Sequence, residues 1–158
     1  MTSSKEIKPF SAKEEKIANW IIKRVAKWQV AVYRASGGRL WKTFLGAPVA
    51  ILTSTGHKSG VIRRVPLLYI EQGENVVIAA SKGGMSQAPL WMLNLKANPV
   101  CEVQIGARNR PMLARVASEE EEAALWPKMT AMYADFAEYR ARTAGVRHIP
   151  LFVLEPKK

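Results

Sequence analysis

The chain has 158 residues, 48% of them hydrophobic, and a formal net charge of +11. This length fits one domain with a substantial core, and a single cysteine excludes a disulfide framework and a four-thiolate metal site. The basic balance indicates an anionic partner, which could be nucleic acid, an anionic lipid surface or an anionic small molecule.

The charge is unevenly distributed along the chain. Residues 1–46 carry +7, whereas residues 118–127 carry −4. We therefore divide the chain into an N-terminal arm with a basic helix, 1–46, and a β domain, 47–158. No apolar run approaches the ~20 residues of a membrane-spanning helix, and the N-terminus lacks the pattern of a signal peptide. A lone cysteine, Cys101, predicted to be buried, fits a reducing compartment, so we expect a cytoplasmic protein.

The first predicted element is an amphipathic helix from Ala12 to about Ala35. Its apolar residues recur at spacings of three and four, and its cations form a neighbouring strip. The apolar set is Ile17, Trp20, Ile21, Val25, Trp28 and Val32, and the basic set is Lys16, Lys23, Lys27 and Arg34. The helix could pack on the protein's own core, the commoner case, or lie on an anionic membrane surface with its indoles at the interface.

Six short β-branched segments then predict strands. They are Pro48 to Ser54, Val61 to Ile70, Asn75 to Ala80, Val100 to Ile105, Arg110 to Ala117 and Ile149 to Leu154. Several connections have hairpin length, which predicts antiparallel pairing. A six-stranded antiparallel sheet with strands apolar on both sides favours a barrel, in a mainly β protein with helices, of the α+β class.

Helices are predicted between the strands. Ser86 is the expected cap of one that runs to Ala97, and Ser118 with Glu121 makes a capping box for another. The four consecutive glutamates after Ser118 suit a helix N-terminus, so we interpret them as structural and predict no metal site. Farther along, Tyr133, Phe136 and Tyr139 fall on one face of a helical stretch, where they could pack as a lid or contact a ligand.

Two turns carry the chemistry. Gly56-His57-Lys58-Ser59-Gly60 is followed by Arg63 and Arg64, and no carboxylate occurs from Ile51 to Ile70. Such a turn is either a grip for phosphate or carboxylate groups or a plain solvated turn. The second turn, Ser81-Lys82-Gly83-Gly84, follows a strand and combines backbone amides with a lysine, which also suits an anion.

The sequence offers little for unaided catalysis. His57 and His148 are its only histidines, and it has no Cys-His pair or clustered carboxylate pair. Acyl transfer and metal-assisted hydrolysis therefore find little support. We expect a bound cofactor to carry the reaction while the protein positions it.

Together these motifs resemble the deazaflavin (coenzyme F-420)-dependent nitroreductase and quinone reductase family of actinobacteria. The resemblance covers residues 47–156 and is carried by 52–60, Arg63, Pro66-Leu67, 79–84 and 89–99. It implies a split β-barrel, similar to FMN-binding split barrels, that binds the reduced 8-hydroxy-5-deazaflavin coenzyme F-420. The coenzyme's tail carries a phosphodiester and several glutamates.

The resemblance also implies roles for individual residues. The grip on the tail would be His57, Lys58, Ser59 and Arg63. The deazaflavin and its linker would contact Pro66, Ala79, Ala80, Ser81, Lys82, Trp91 and Asn94. The acceptor would meet Leu68, Ser81, Tyr133, Phe136 and Tyr139, with Tyr133 or Ser81 binding its oxygen or relaying a proton.

The chain departs from the family pattern at three of these positions. His57 replaces an expected arginine, and Leu68 and Phe136 replace tyrosines of the nitroimidazole-reducing member, which puts nitroimidazole reduction in doubt. The implied function is hydride transfer to a planar electrophile, which would be a quinone, an enone or a nitroarene. The alternative is a non-catalytic binding protein for the deazaflavin or another anionic lipophilic ligand. A nucleic-acid partner is disfavoured, because the cations are not interleaved with aromatics as in a stacking platform.

Overall fold

A central antiparallel sheet organises the computed structural model, which describes residues 7–158. Its strands are β1 (Thr43–Phe44), β2 (Ala47–Thr55), β3 (Ile62–Leu68), β4 (Ile70–Gln72), β5 (Asn75–Ala79), β6 (Val100–Ile105), β7 (Arg108–Val116) and β8 (Leu151–Pro156). The helices are α1 (Ala12–Ala35), α2 (Leu90–Ala97), α3 (Glu119–Met132) and α4 (Asp135–Thr143), with a single 3-10 turn at Lys82–Gly84.

The sheet curls into a barrel because one predicted strand bends. The sheet order is β1-β2-β6-β7-β8-β5-β4, and β3 pairs with β2. The expected single strand from Val61 to Ile70 is interrupted at Tyr69. Ile62–Leu68 pairs with β2, whereas Ile70 belongs to the separate strand β4, which pairs with β5. The prediction of an antiparallel split barrel is confirmed, but the count of six strands is corrected to eight by this bend and by the short β1.

Successive residues of a strand pack into two different hydrophobic clusters, because their side chains point to opposite faces of the sheet. Leu52, Ala80 and Trp91 belong to a cluster inside the barrel. Ala79 and Leu151 belong to a second cluster that also contains aromatic residues of α3 and α4. The cysteine is buried in the first cluster, and burial raises the pKa of the Cys101 thiol to about 12, which makes it a packing residue.

The predicted capping box of α3 is confirmed, whereas the predicted cap of α2 is wrong. The Ser118 hydroxyl accepts from the Glu121 amide, and the Glu121 carboxylate accepts from the Ser118 amide. The N-cap of α2 is Pro89. Ser86 instead donates its amide and its hydroxyl to the Glu15 carboxylate of α1, at 2.7 and 2.8 Å, because a charged acceptor is available there.

The expectation that the apolar stripe of α1 packs on the core is wrong. Trp20 is 61% exposed and Trp28 is 70% exposed. The helix is instead held near both ends, by the bonds from Ser86 to Glu15 and by the Gly106 amide, which donates to the Tyr33 hydroxyl at 2.8 Å. Gly38 makes the approach possible, because a Cβ there would lie 2.3 Å from Gly106 Cα. Within residues 7–158 no helix is long and apolar enough to cross a bilayer.

Candidate active site

The turn 56–60 and the adjoining Arg63 and Arg64, which we call the cationic turn, connect β2 to β3. Backbone hydrogen bonds close this turn. The Gly56 amide donates to the Val61 carbonyl at 2.8 Å, and the Gly60 amide donates to the Gly56 carbonyl at 2.9 Å. Lys58, Arg63 and Arg64 are exposed, and none of them forms an ion pair with another residue in the described part of the chain. These cations are therefore free to bind an anionic ligand.

Helix α2 fixes the orientation of this turn through Asn94. The buried Asn94 Oδ1 accepts from the His57 amide at 2.9 Å and lies 2.8 Å from His57 Nδ1. Sequence reasoning placed both residues on the coenzyme. In the structure the amide oxygen of Asn94 is engaged in holding the turn, which positions the residues that follow His57.

A buried hydroxyl beside the turn was missed by sequence reasoning. Ser54 is 3% exposed, and its Oγ has no hydrogen-bond partner among residues 7–158. Ser54 lies opposite Arg63 in the β2–β3 register, so the two side chains share a face of the sheet. An unsatisfied hydroxyl next to an unpaired cation fits a phosphate or carboxylate oxygen. Ser54 ends a predicted strand and its local sequence gives no sign of a role, so only the lack of a partner for its hydroxyl within residues 7–158 distinguishes it.

The second predicted turn, 81–84, lies at the end of β5. Ser81 is 9% exposed, and its hydroxyl makes no hydrogen bond within residues 7–158. Lys82 has a φ of 44°, and burial, followed by repulsion from Lys23, lowers the pKa of its ammonium. The helix that follows this turn, α2, begins at Leu90.

Two arginines from the C-terminal part of the chain hold the 81–84 turn. Arg147 donates to the carbonyls of Ala80, Ser81 and Met85 at 3.0, 2.8 and 3.0 Å. Arg142 donates to the Gly83 carbonyl at 3.3 Å. Burial lowers the pKa of Arg147. Both arginines were missed, because nothing in their local sequence distinguishes them from solvated cations.

The predicted acceptor residues come together beside the same turn. The hydroxyls of Tyr133 and Tyr139 lie 3.0 Å apart, and Tyr133 donates to Asp135 Oδ2 at 3.2 Å. The Phe136 ring contacts Tyr133 edge-on, with centroids 5.1 Å apart. Burial, followed by the hydrogen bond with Tyr139, raises the pKa of the Tyr133 phenol. Leu68 packs against this cluster.

The residues predicted to line the deazaflavin are divided between the two faces of the sheet. Trp91 lies inside the barrel and makes an edge contact with Phe152, with ring centroids 5.4 Å apart. Ala79 lies on the opposite face, with Tyr133 and Phe136. The two groups meet at the end of β5, where Ala79, Ala80 and Ser81 follow one another.

His148 lies apart from these turns, with its Nε2 3.0 Å from Glu122 Oε2 of α3. Within the described residues, no group of three His, Cys, Asp or Glu side chains could hold a metal ion. The chemistry of the site therefore rests on cations, hydroxyls and aromatic surfaces. These suit an organic anion with a planar ring system.

Comparison with known proteins agrees with this chemistry. The family model of F420H(2)-dependent quinone reductases matches residues 25–156. The F420H(2)-dependent quinone reductase Rv1261c of Mycobacterium tuberculosis is 33% identical over 146 residues, which are 87% of this chain and 97% of its own. A solved F420-H2 dependent reductase, FDR-A, is 39% identical, with a TM-score of 0.63, over 68% of this chain and 94% of its own. Another solved structure, a domain-swapped dimer, is 33% identical, with a TM-score of 0.65, over 87% of this chain and 98% of its own.

Proposed function

This chain belongs to the F420H(2)-dependent quinone reductase family, and from that membership we infer that it is an oxidoreductase that transfers a hydride from reduced coenzyme F-420 to a quinone. We propose that enones and nitroarenes, which are also planar electrophiles, are further acceptors. The observation that carries the site assignment is the unpaired cationic turn with the orphaned Ser54 hydroxyl beside it.

The tail of the coenzyme binds at the cationic turn in this proposal. Lys58 and Arg63 pair with its phosphodiester and inner glutamates, and Ser59 and His57 add hydrogen bonds. Support comes from the absence of ion pairs to these cations within residues 7–158, since an oligoanion then needs to displace no resident carboxylate.

The ring system is proposed to lie at the end of β5. Its proposed contacts are Pro66, Ala79, Ala80, Ser81, Lys82, Trp91 and Asn94. Arg147 and Arg142 donate hydrogen bonds to four carbonyls around the 81–84 turn. These bonds fix the position of the Ser81 hydroxyl. The reduced deazaflavin, when bound, supplies a hydride and not single electrons, because carbon replaces nitrogen at position 5 of its ring.

The protein's part in the reaction is to orient the acceptor and stabilise charge on its oxygen. Ser81 and Tyr133 are the proposed groups, with Leu68, Phe136 and Tyr139 forming the apolar side of the acceptor site. Burial, followed by the hydrogen bond with Tyr139, raises the pKa of the Tyr133 phenol, which favours hydrogen-bond donation to the acceptor oxygen over proton relay. The Ser81 hydroxyl has no competing partner among the described residues, whereas Tyr133 already donates to Asp135.

A fluorescence titration with oxidised coenzyme F-420 and with FMN tests the cofactor assignment. We expect preference for the deazaflavin, and preference for FMN would refute it. Following coenzyme absorbance with menadione or cyclohexenone then tests turnover. Oxidation of the reduced coenzyme supports the reductase, and its absence with both acceptors supports the non-catalytic binding protein.

We also propose that α1 attaches the cytoplasmic protein to an anionic membrane surface. The supporting observation is the exposure of Trp20 and Trp28 beside Lys16, Lys23 and Lys27. Indoles at the headgroup level and lysines near lipid phosphates both favour this position. Sedimentation with phosphatidylglycerol vesicles should capture the wild type, and Trp20→Ser with Trp28→Ser should weaken capture. Equal capture of the wild type and of the double variant would contradict the proposal.

A further inference from the structure

A groove between α1 and β3 shares Arg64 with the cationic turn, and its other lining residues lie outside the site described so far. It encloses about 390 Å³ and is lined by Lys27, Val30, Ala31, Arg34 and Arg64. The four helical residues follow the spacing that places side chains on one face of a helix. The groove therefore has an apolar floor, Val30 and Ala31, with a cation at each end and a third cation across from them on β3.

The positive charge of this groove is not compensated by the protein. No Asp or Glu occurs in the sequence between Glu15 and Glu71. Within the described part of the chain, Lys27, Arg34 and Arg64 form no ion pair. Glu102 shares a sheet face with Arg64 but lies two strands away, at roughly 10 Å. Three neighbouring cations repel one another, so an anion bound among them is stabilised.

The spacing of the cations selects an elongated ligand. Lys27 and Arg34 are seven residues apart, about 10 Å along the helix axis. A single phosphate or carboxylate cannot contact both ends together with Arg64. A chain of glutamates fits better, since it has one carboxylate per unit and two methylenes per unit that can lie on an apolar floor.

The groove is also adjacent to the cationic turn. Arg63 and Arg64 are consecutive on β3, so their side chains point to opposite faces of the sheet. Arg63 lies on the face of Ser54, and Arg64 lines the groove. β3 pairs only with β2 among the described strands, which leaves its other edge open. A flexible anionic chain that leaves Arg63 can pass over this edge to Arg64.

We propose that the groove of Lys27, Arg34 and Arg64 is a second anion subsite, which binds the outer glutamate carboxylates of the coenzyme's tail. This inference rests on the proposed function. It makes α1 part of the coenzyme site, and it predicts that affinity depends on tail length.

Titration of oxidised coenzyme with a monoglutamyl and with a hexaglutamyl tail tests the proposal by fluorescence, independently of turnover. At low salt we expect the long tail to bind roughly tenfold more tightly, since three exposed ion pairs contribute modestly each. The double variant Lys27→Ala, Arg34→Ala and the single variant Arg64→Ala should lose this advantage and keep the monoglutamyl affinity.

The matched control is Lys13→Ala with Lys16→Ala, which removes the same charge from α1 outside the groove and should preserve the tail-length effect. Circular dichroism verifies that α1 is retained, and Lys27→Arg should bind like the wild type. Equal affinity of the wild type for both tails would overturn the subsite. Groove variants that lose vesicle binding but keep the tail-length effect would assign the groove to lipid instead. If neither coenzyme binds, the proposed function itself fails.

Discussion

At the scale of single residues, Ser81 and Tyr133 differ in what their hydroxyl protons already contact. Tyr133 donates to Asp135 and shares a hydrogen bond with Tyr139. The Ser81 hydroxyl makes no hydrogen bond with any other described residue. A group whose proton is uncommitted can donate to a developing oxyanion without breaking another bond. Ser81 is therefore the stronger candidate for contact with the acceptor oxygen.

Replacing Ser81 by alanine should lower kcat with menadione about tenfold, since a hydrogen bond to a charged group contributes ~1.5 kcal/mol or more. The Kd of the coenzyme should rise by a smaller factor, because Ser81 is only one of seven proposed contacts of the ring system. Tyr133→Phe should have the smaller effect on kcat. Steady-state kinetics measures both, and a larger loss for Tyr133→Phe would reverse the assignment.

Gly84 is the residue at which the turn and α4 meet. Its φ is 77°, and a Cβ there would lie 3.1 Å from Tyr139 Cα. Gly84→Ala should destabilise the protein by ~1–3 kcal/mol, because it combines backbone strain with a clash. Gly83→Ala is the control, since Gly83 has a φ of 63° with no atom within 4 Å of the added Cβ. Urea unfolding should show a greater loss of stability for Gly84→Ala than for Gly83→Ala. Equal losses would show that the contact with Tyr139 does not contribute.

At the scale of elements, the functional turns are held by residues from elsewhere in the chain. Asn94 of α2 holds the cationic turn, and Arg147, which follows α4, holds the 81–84 turn. Glu15 of α1 binds Ser86 immediately after that turn. The helices thus position the turns at which the coenzyme is proposed to bind.

Arg147→Lys should loosen the 81–84 turn, because one ammonium cannot reproduce the fork that reaches three carbonyls. We expect coenzyme affinity to fall about tenfold, a change of ~1.4 kcal/mol. Hydrogen exchange of residues 81–85 should accelerate in the variant. Arg108→Lys, at an exposed position away from the turn, is the control. Unchanged exchange in Arg147→Lys would show that the turn holds itself.

Glu121 joins the cap of α3 to the sheet and makes stability depend on pH. Its carboxylate accepts from Arg115 at 2.6 and 2.8 Å, and these bonds, followed by that from the Ser118 amide, lower its pKa from 4.5 to about 2. A lowered pKa contributes stability above pH 4.5 that is lost as the pH falls toward 2. Glu121→Gln should lower the free energy of unfolding by ~0.5–1 kcal/mol at neutral pH, a small value because the ion pair is exposed. Below about pH 2, where the carboxyl is protonated, the substitution should have no effect. Thermal unfolding at several pH values measures this difference, and a pH-independent difference would contradict it.

At the scale of the whole molecule, the excess positive charge and the barrel act together. The barrel places the cationic turn at one end of β2 and β3, and α1 adds a second basic surface along β3. Coenzyme affinity should therefore fall steeply with ionic strength. Exposed charges are screened within ~10 Å at 0.1 M salt and ~3 Å at 1 M.

We expect at least a tenfold rise in the coenzyme Kd between low salt and ~1 M salt. Lys58→Ala should flatten this dependence, because one of the contributing charges is gone. Fluorescence titration over a salt series measures the slope. A salt-independent Kd would place the anionic tail away from the cationic turn.

The sequence by itself determined six of the strand segments, the capping box at Ser118 and the two turns, because periodicity, cap residues and glycines act locally. Its resemblance to a known family was confirmed. The bend at Tyr69, the outward stripe of α1 and the pairing of Ser86 with Glu15 were decided only by tertiary structure. The sequence likewise did not predict the unsatisfied Ser54 hydroxyl or the hydrogen bonds of Arg147. Each depends on groups far apart in the chain, and no local pattern encodes which distant partner a side chain will meet.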